Sequence, residues 1–157
     1  MGTEKIKHWL TDYRRLEIEY LSLSERLARL ENAQYIPAMW MGVESKHSPS
    51  AYDRMGSATI RRLEFEAEYS EKIDEIKSGM KSIETAIRTL PDPLHRGILV
   101  QRYIIGDEGC KLKPWKNIAL MLYHSDDDAA IKRVQRLHRE ALESMEKIMG
   151  DKVNTIL

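Results

Sequence analysis

The chain has 157 residues, of which 25 are Lys or Arg and 25 are Asp or Glu, so its formal net charge is zero. This balance argues against a uniformly basic protein that coats nucleic acid without regard to sequence, although one face can still be basic. With one cysteine, no apolar run near the roughly 20 residues that span a membrane and no signal-peptide core at its start, we expect a cytoplasmic protein without a membrane partner.

Residues 3–32 contain neither proline nor glycine and predict one long helix. Apolar side chains return at intervals of three and four residues over more than three heptads, which is typical of a coiled coil. We call this row the first seam; it consists of Ile6, Trp9, Tyr13, Leu16, Tyr20, Leu23, Leu27 and Leu30.

A long connection follows over residues 33–57, where two prolines and two glycines occur and no apolar period is present. Connections of this length are uncommon inside compact domains. A second long helix is predicted from about Ala58 to Thr89.

The second helix carries its own heptad row, which we call the second seam. It consists of Tyr69, Ile73, Ile76, Met80, Ile83, Ile87 and Leu90. Farther upstream the same spacing falls on Glu66 and Arg62, so we predict a change of register or of partner near residue 66. Two seams of similar length predict that residues 1–90 form an antiparallel coiled-coil hairpin with the linker at one tip.

Residues 91–150 are predicted to form three shorter helices. Prolines on both sides of Asp92 break the preceding helix, and Asp92 can cap the next one. Gly106 stops that helix, and a proline then opens the second. The third helix is predicted to end at Gly150, which leaves residues 151–157 as a frayed tail.

Three short helices, with a small Ala119 where two of them approach closely, indicate a helix-turn-helix unit. In a helical projection the last helix turns Val134, His138 and Ala141 inward, so its basic side chains face outward. These are Lys132, Arg133, Arg136 and Arg139. Such a face can donate to phosphates and, through bidentate arginine, to guanine edges in a major groove; the alternative is a solvated face that only keeps the protein in solution.

Three aspartates, Asp126, Asp127 and Asp128, stand at the joint before this basic helix. Acidic residues in a first turn each favour a helix by ~0.3–1 kcal/mol, because the helix N-terminus is positive. In this interpretation Ser125 or Asp126 is the N-cap. Alternatively, acidic residues beside a basic face weaken non-specific attraction to phosphate, so that base contacts determine which DNA sequence is bound.

The sequence holds no pattern for catalysis or for a cofactor. The glycines around residue 106 lack the Lys-Ser/Thr pair of a phosphate-binding loop. Five histidines are scattered without ligand spacing, so no metal is expected. His138, on the inner side of the last helix, is expected to be a packed, hydrogen-bonded core residue. We therefore expect no enzyme and no cofactor.

The segments "IRTLPDPLHRGILVQRYIIG", "WKNIALML" and "RVQRLHREALESM" together resemble the C-terminal part of phage and prophage regulators of the ArpU/RinA type. In that family a helix ending in Arg-Tyr precedes a Trp-x-x-Ile-Ala helix, and a Val-x-Arg-Leu-His-x-x-Ala-Leu helix follows. The resemblance implies a helix-turn-helix similar to region 4 of bacterial sigma factors, with DNA bound by the last helix.

Two departures from the family pattern affect the joint between the helices. The link after Arg102-Tyr103 is several residues longer than usual. About five extra residues, the three aspartates among them, lie between Ser125 and Val134, and Tyr123 stands where the family turn often has glycine. If the extra residues are helical, the last helix starts early.

We therefore expect an all-α protein: a coiled-coil hairpin followed by a sigma-region-4-like helix-turn-helix that regulates phage or prophage transcription in a bacterial cytoplasm. The expected partners are double-stranded DNA, host RNA polymerase, and a second copy through the coiled coil. Lys116, Lys111 and Lys113 would clamp phosphates. One alternative is an interaction protein without DNA affinity that docks on RNA polymerase or another phage protein. A weaker alternative is a small DNA-packaging subunit.

Overall fold

The computed structural model describes residues 2–32 and 50–156, and within these ranges the chain is almost entirely helical. The helices are α1 (Thr3–Asn32), α2 (Ser50–Arg88), α3 (Pro93–Leu99) with a π-helical continuation (Val100–Ile105), α4 (Trp115–Tyr123) and α5 (Asp128–Ile156). The described ranges contain no strand, only an isolated antiparallel bridge between Asp107 and Lys111. The predicted all-α class is confirmed.

Two predicted boundaries are wrong. Helix α2 begins at Ser50, so residues 50–57, about the last third of the predicted linker, are helical, while residues 33–49 lie outside the described residues. Helix α5 continues past Gly150 to Ile156, where a frayed tail was predicted. The reason is the same in both places. A single glycine costs a helix only about 1 kcal/mol relative to alanine, and no proline follows to stop it.

The chain divides into two compact units at places that the sequence did not indicate. One unit combines Met1–Ile18 with Ser78–Leu157, and the other is Glu19–Lys77. The first turns of α1 and the last turns of α2 belong to the same unit as α3, α4 and α5. The domain boundary near residue 90, between hairpin and helix-turn-helix, stays a prediction.

The larger unit is built on one core that draws on four helices. Its buried side chains are Ile6, Leu10, Tyr13, Ile83, Ile87, Leu90, Leu99, Tyr103, Ala141, Leu142 and Met145. Leu10 and Arg14 lie outside the first seam and are nevertheless buried, because α1 packs against more than one neighbour here. A second, smaller core joins α4 to α5 through Ile118, Ala119, Ala130 and Val134.

Within the larger unit, α1 and α2 run in opposite directions, so residues later in α1 contact residues earlier in α2. The Tyr13 hydroxyl donates to Glu84 Oε1 at 2.6 Å, and burial together with this hydrogen bond raises the pKa of Tyr13. One turn later, Leu16 approaches Gly79 so closely that a Cβ there would lie 3.3 Å from Leu16 Cδ1. Members of both predicted seams are buried or half-buried throughout their length.

In the smaller unit the second seam keeps its register upstream of Tyr69. Arg62 and Glu66 are half-buried, with Arg62 Nε 3.6 Å from Glu66 Oε1, whereas Leu63 and Phe65 are exposed. The exposure of these side chains therefore shows no change of register near residue 66, and a change of partner there stays a prediction. The half-buried row of α2 continues through the polar pair Arg62 and Glu66, and the apolar Leu63 and Phe65 beside it face solvent.

Candidate functional site

The C-terminal helices are positioned by side chains at the ends of α3. Asp92 caps α3 as predicted, because its Oδ1 accepts from the backbone N–H of Leu94 at 2.9 Å. At the other end, Arg14 of α1 reaches the last carbonyls of the π-helical segment and donates to the oxygens of Ile104 and Ile105. A guanidinium at a helix C-terminus satisfies carbonyls that lack helical partners and complements the helix dipole.

Gly106 ends the π-helical segment, as the sequence predicted, with φ 60° and ψ −153°. This backbone region is essentially restricted to glycine. A Cβ at this position would lie 2.5 Å from the Lys111 carbonyl oxygen and would press on the Arg14 guanidinium. The chain therefore turns sharply here, and the Asp107–Lys111 bridge closes the loop that leads to α4.

Arg102 fixes the start of α4. Its guanidinium lies 3.9 Å from the centre of the Trp115 ring, and Nη1 donates to the Lys113 carbonyl oxygen at 2.7 Å. Burial lowers the pKa of Arg102. The Arg102 carbonyl oxygen also accepts a hydrogen bond from the Lys113 N–H at 3.2 Å, so hydrogen bonds join the two ends of the loop.

His138 connects α5 to the two preceding helices. Its Nε2 lies 2.7 Å from the Tyr103 hydroxyl, its ring stacks on Tyr103, and the edge of Trp115 meets it at a centroid distance of 4.7 Å. The expectation of a packed, hydrogen-bonded core histidine is confirmed. Burial, with help from the positive charges of Arg102 and Lys7, lowers the pKa of His138 to about 4.

Four residues, 124–127, make the turn between α4 and α5. His124 takes the left-handed conformation, with φ 55° and ψ 25°, and its N–H donates to the Leu120 carbonyl at 3.0 Å. The place that glycine would suit is therefore His124 and not Tyr123. A turn of this length is usual in helix-turn-helix units.

The cap of α5 is Asp127, so the prediction of Ser125 or Asp126 is wrong. Its Oδ1 accepts from the Ala130 N–H at 2.8 Å, and its carbonyl oxygen accepts the first helical bond, from Ile131, at 3.0 Å. Asp128 stands in the first turn. For these two aspartates the contacts agree with the helix-start explanation.

Replacing Asp127 with alanine should remove the cap and lower the free energy of unfolding by about 1 kcal/mol, within the usual range for such caps. Asp128→Ala is the matched control, since it removes the same charge from the same turn but no cap hydrogen bond, and it should cost less. Urea denaturation followed by circular dichroism measures both. Equal losses would show that charge and not capping stabilises this end of α5.

The four basic residues predicted on α5 are all exposed, opposite the buried Val134, His138 and Ala141. Arg133 lies over the Tyr123 ring at 5.3 Å, and Arg136 Nε is 3.9 Å from Glu140 Oε1. Lys132 and Arg139 have no ion pair within residues 2–32 and 50–156. We call Lys132, Arg133, Arg136 and Arg139 the basic face.

The three predicted lysine clamps have different surroundings. Lys116 is exposed on α4 and lies 3.5 Å from Asp126, at the turn beside the start of α5. Lys111 is exposed in the loop before α4. Lys113 is half-buried, and its Nζ donates to Gln101 Oε1 at 2.6 Å, so this ammonium is engaged inside the protein.

Sequence reasoning did not assign a role to Glu140. One of its oxygens faces Arg136, and the other lies 3.5 Å from His95 Nε2. His95 is in turn 3.6 Å from Asp92, so a polar chain runs from the cap of α3 to the basic face. The i, i+4 spacing of Arg136 and Glu140 is a signal that would have found the first of these contacts.

In the part of the chain that the structure describes, no three His, Cys, Asp or Glu side chains come together as metal ligands. No helix there is long and apolar enough to cross a membrane. Comparisons with protein-family profiles, curated proteins and solved structures found no match to this chain.

Proposed function

We propose that this protein is a DNA-binding transcriptional regulator of phage or prophage genes that acts in the bacterial cytoplasm and reads DNA with α5. The observation that carries the proposal is the exposed basic face on α5, which follows a four-residue turn and a helix packed against it. In DNA-binding units of this kind the second helix enters the major groove, and its N-terminal residues contact base edges.

The charge distribution along α5 suits this role. Asp128 is exposed in its first turn, Lys132 and Arg136 are exposed over the next two turns, and the exposed acids Glu140 and Glu143 come later. Arginine can donate two parallel hydrogen bonds to a guanine, and lysine can donate to guanine or to phosphate. Lys116, exposed on the preceding helix, would contact the phosphate backbone next to the groove.

For α1 and α2 we propose the antiparallel coiled-coil hairpin that the two seams predict, with dimerisation or contact with the transcription machinery as its task. Support comes from each unit separately. In the larger unit, the Tyr13–Glu84 and Leu16–Gly79 contacts run in opposite senses along the two helices. In the smaller unit, Lys77 Nζ lies 5.6 Å from the centre of the Tyr20 ring.

Replacing Arg136 with glutamate should weaken binding to duplex DNA at least about tenfold, because one good base contact is worth ~1–3 kcal/mol and the new charge adds repulsion. The melting temperature should change by only about 2 °C or less, since 64 % of the Arg136 side chain is exposed and an i, i+4 pair with Glu140 is worth only ~0.2–0.5 kcal/mol. Fluorescence anisotropy over a series of salt concentrations measures this. The logarithm of the binding constant should fall linearly with the logarithm of the salt concentration, with a smaller slope for the variant.

Arg15→Glu is the matched control for this experiment. It makes the same change in net charge at an exposed arginine of α1, outside the basic face, and should leave affinity close to that of the parent. If Arg136→Glu binds DNA as the parent does, α5 is not the reading helix.

A second candidate function is docking on RNA polymerase or another phage protein without DNA affinity. The observation that favours it is an apolar pair on the outer side of α4, where Leu120 and Met121 are 42 % and 44 % exposed. Salt-dependent binding of the parent to random duplex DNA would decide for the first function. Its absence, together with a complex that Leu120→Lys abolishes, would decide for the second.

A further inference from the structure

Carboxylates occupy part of the cationic surface in the free protein. Lys116 lies 3.5 Å from Asp126, and Arg136 Nε lies 3.9 Å from Glu140 Oε1. Lys116 and Arg136 are both residues that would contact DNA in the proposed function. Both pairs are about half exposed, so a phosphate oxygen can reach the same cations from solvent.

Each of these carboxylates is held in place by more than its cation. Glu140 faces His95 with its second oxygen, at 3.5 Å, so its carboxylate has a neighbour on each side. Asp126 lies in a short turn between the left-handed His124 and the capping Asp127. Because the surrounding structure orders these groups, forming the pairs costs less side-chain entropy than for two free surface side chains.

We propose that Asp126 and Glu140 act as internal competitors of DNA phosphate and so set how strongly the protein binds DNA of unrelated sequence. The proposal rests on the proposed function. Non-specific binding depends almost entirely on phosphate contacts, so occupied cations reduce it directly. Lys132 and Arg139, which have no ion pair in the described ranges, remain available for the first encounter with the duplex.

The experiment compares matched carboxamide variants. Glu140→Gln keeps the length of the side chain and an oxygen that can face His95. Glu143→Gln removes the same charge from an exposed position one turn later on α5 that forms no ion pair within the described residues. Asp126→Asn and Asp128→Asn form the corresponding pair at the turn. The probes are random-sequence duplex DNA, measured by anisotropy, and an immobilised heparin column, measured by the salt concentration at elution.

We expect Glu140→Gln and Asp126→Asn each to bind random duplex DNA about two- to fivefold more tightly than their controls, the range that exposed ion pairs allow. Both should also elute from heparin at higher salt than their controls. The gain from Glu140→Gln should disappear when Arg136 is replaced by glutamine, because the competing pair is then already absent.

Equal gains in a variant and its control would overturn the proposal, since net charge alone would then explain the effect. A Glu140→Gln gain that persists without Arg136 would overturn it as well. Failure of the proposed function looks different. In that case the parent shows no salt-dependent affinity for duplex DNA, while the heparin comparison, which needs no DNA, still supports or overturns the competition.

Discussion

Replacing Gly106 with alanine should lower the free energy of unfolding by about 3 kcal/mol and the melting temperature by about 6–12 °C. A φ of 60° with a ψ of −153° is strained for any residue with a Cβ. The new methyl group would also collide with the Lys111 carbonyl and push Arg14 away from the carbonyls that it satisfies. Leaving such carbonyls without partners in a partly buried place adds to the cost.

Gly97→Ala is the matched control, because Gly97 lies within α3 and a Cβ there meets nothing within 4 Å. In a helix this change should be neutral or should add up to about 1 kcal/mol of stability. Thermal and urea denaturation followed by circular dichroism measure both variants. A Gly106→Ala protein as stable as the parent would show that the loop after the π-helical segment can relax and that Arg14 does not depend on it.

The periodicity of the sequence was enough to predict much of the helical structure. The first seam and the second seam are buried or half-buried as predicted, because heptad spacing depends on the helix itself and not on its partner. The same local chemistry predicted the Asp92 cap and the glycine stop at Gly106. These features need only a few neighbouring residues to form.

The division of the chain could not be predicted in this way, because it depends on which surfaces meet in three dimensions. Leu10 and Arg14 look like ordinary residues beside a coiled-coil seam, yet both are buried in the unit that includes α3 and α5. Hydrogen bonds to two carbonyl oxygens about 90 residues away in sequence stabilise the buried guanidinium of Arg14. No periodicity within α1 contains that information.

At the candidate site, the outward direction of the basic residues on α5 followed from helical geometry alone. The N-cap of α5 was harder to predict, since four residues of cap-forming type, 125–128, stand side by side and only the path of the chain selects Asp127. The engagement of Lys113 by Gln101 and of Lys116 by Asp126 likewise depends on how the loop before α4 folds. Sequence could name the cations but not their partners.

Acid should destabilise this protein through His138. A histidine in the unfolded chain takes up a proton near pH 6.5, whereas burial in the core lowers the pKa of His138 to about 4. Between these pH values the unfolded chain binds more protons than the folded one, so its free energy falls relative to the folded state as pH falls. The contribution of His138 to stability is therefore complete above about pH 7, and at pH 4.5 about 2.5 kcal/mol of it is lost.

The variant His138→Gln isolates this effect, since glutamine can accept the Tyr103 hydroxyl hydrogen bond but does not titrate. The variant should be less stable than the parent at pH 7, because the contacts of the imidazole ring with Tyr103 and Trp115 are lost. Between pH 7 and pH 4.5, however, it should lose about 2.5 kcal/mol less than the parent, measured by urea denaturation at each pH. His8→Gln, at an exposed histidine of α1, is the control and should lose as much as the parent. If His138→Gln and the parent respond to acid in parallel, folding does not lower the pKa of His138. The folded protein then takes up a proton at His138 over the same pH range as the unfolded chain, and the packing of α5 on Tyr103 and Trp115 tolerates an imidazolium.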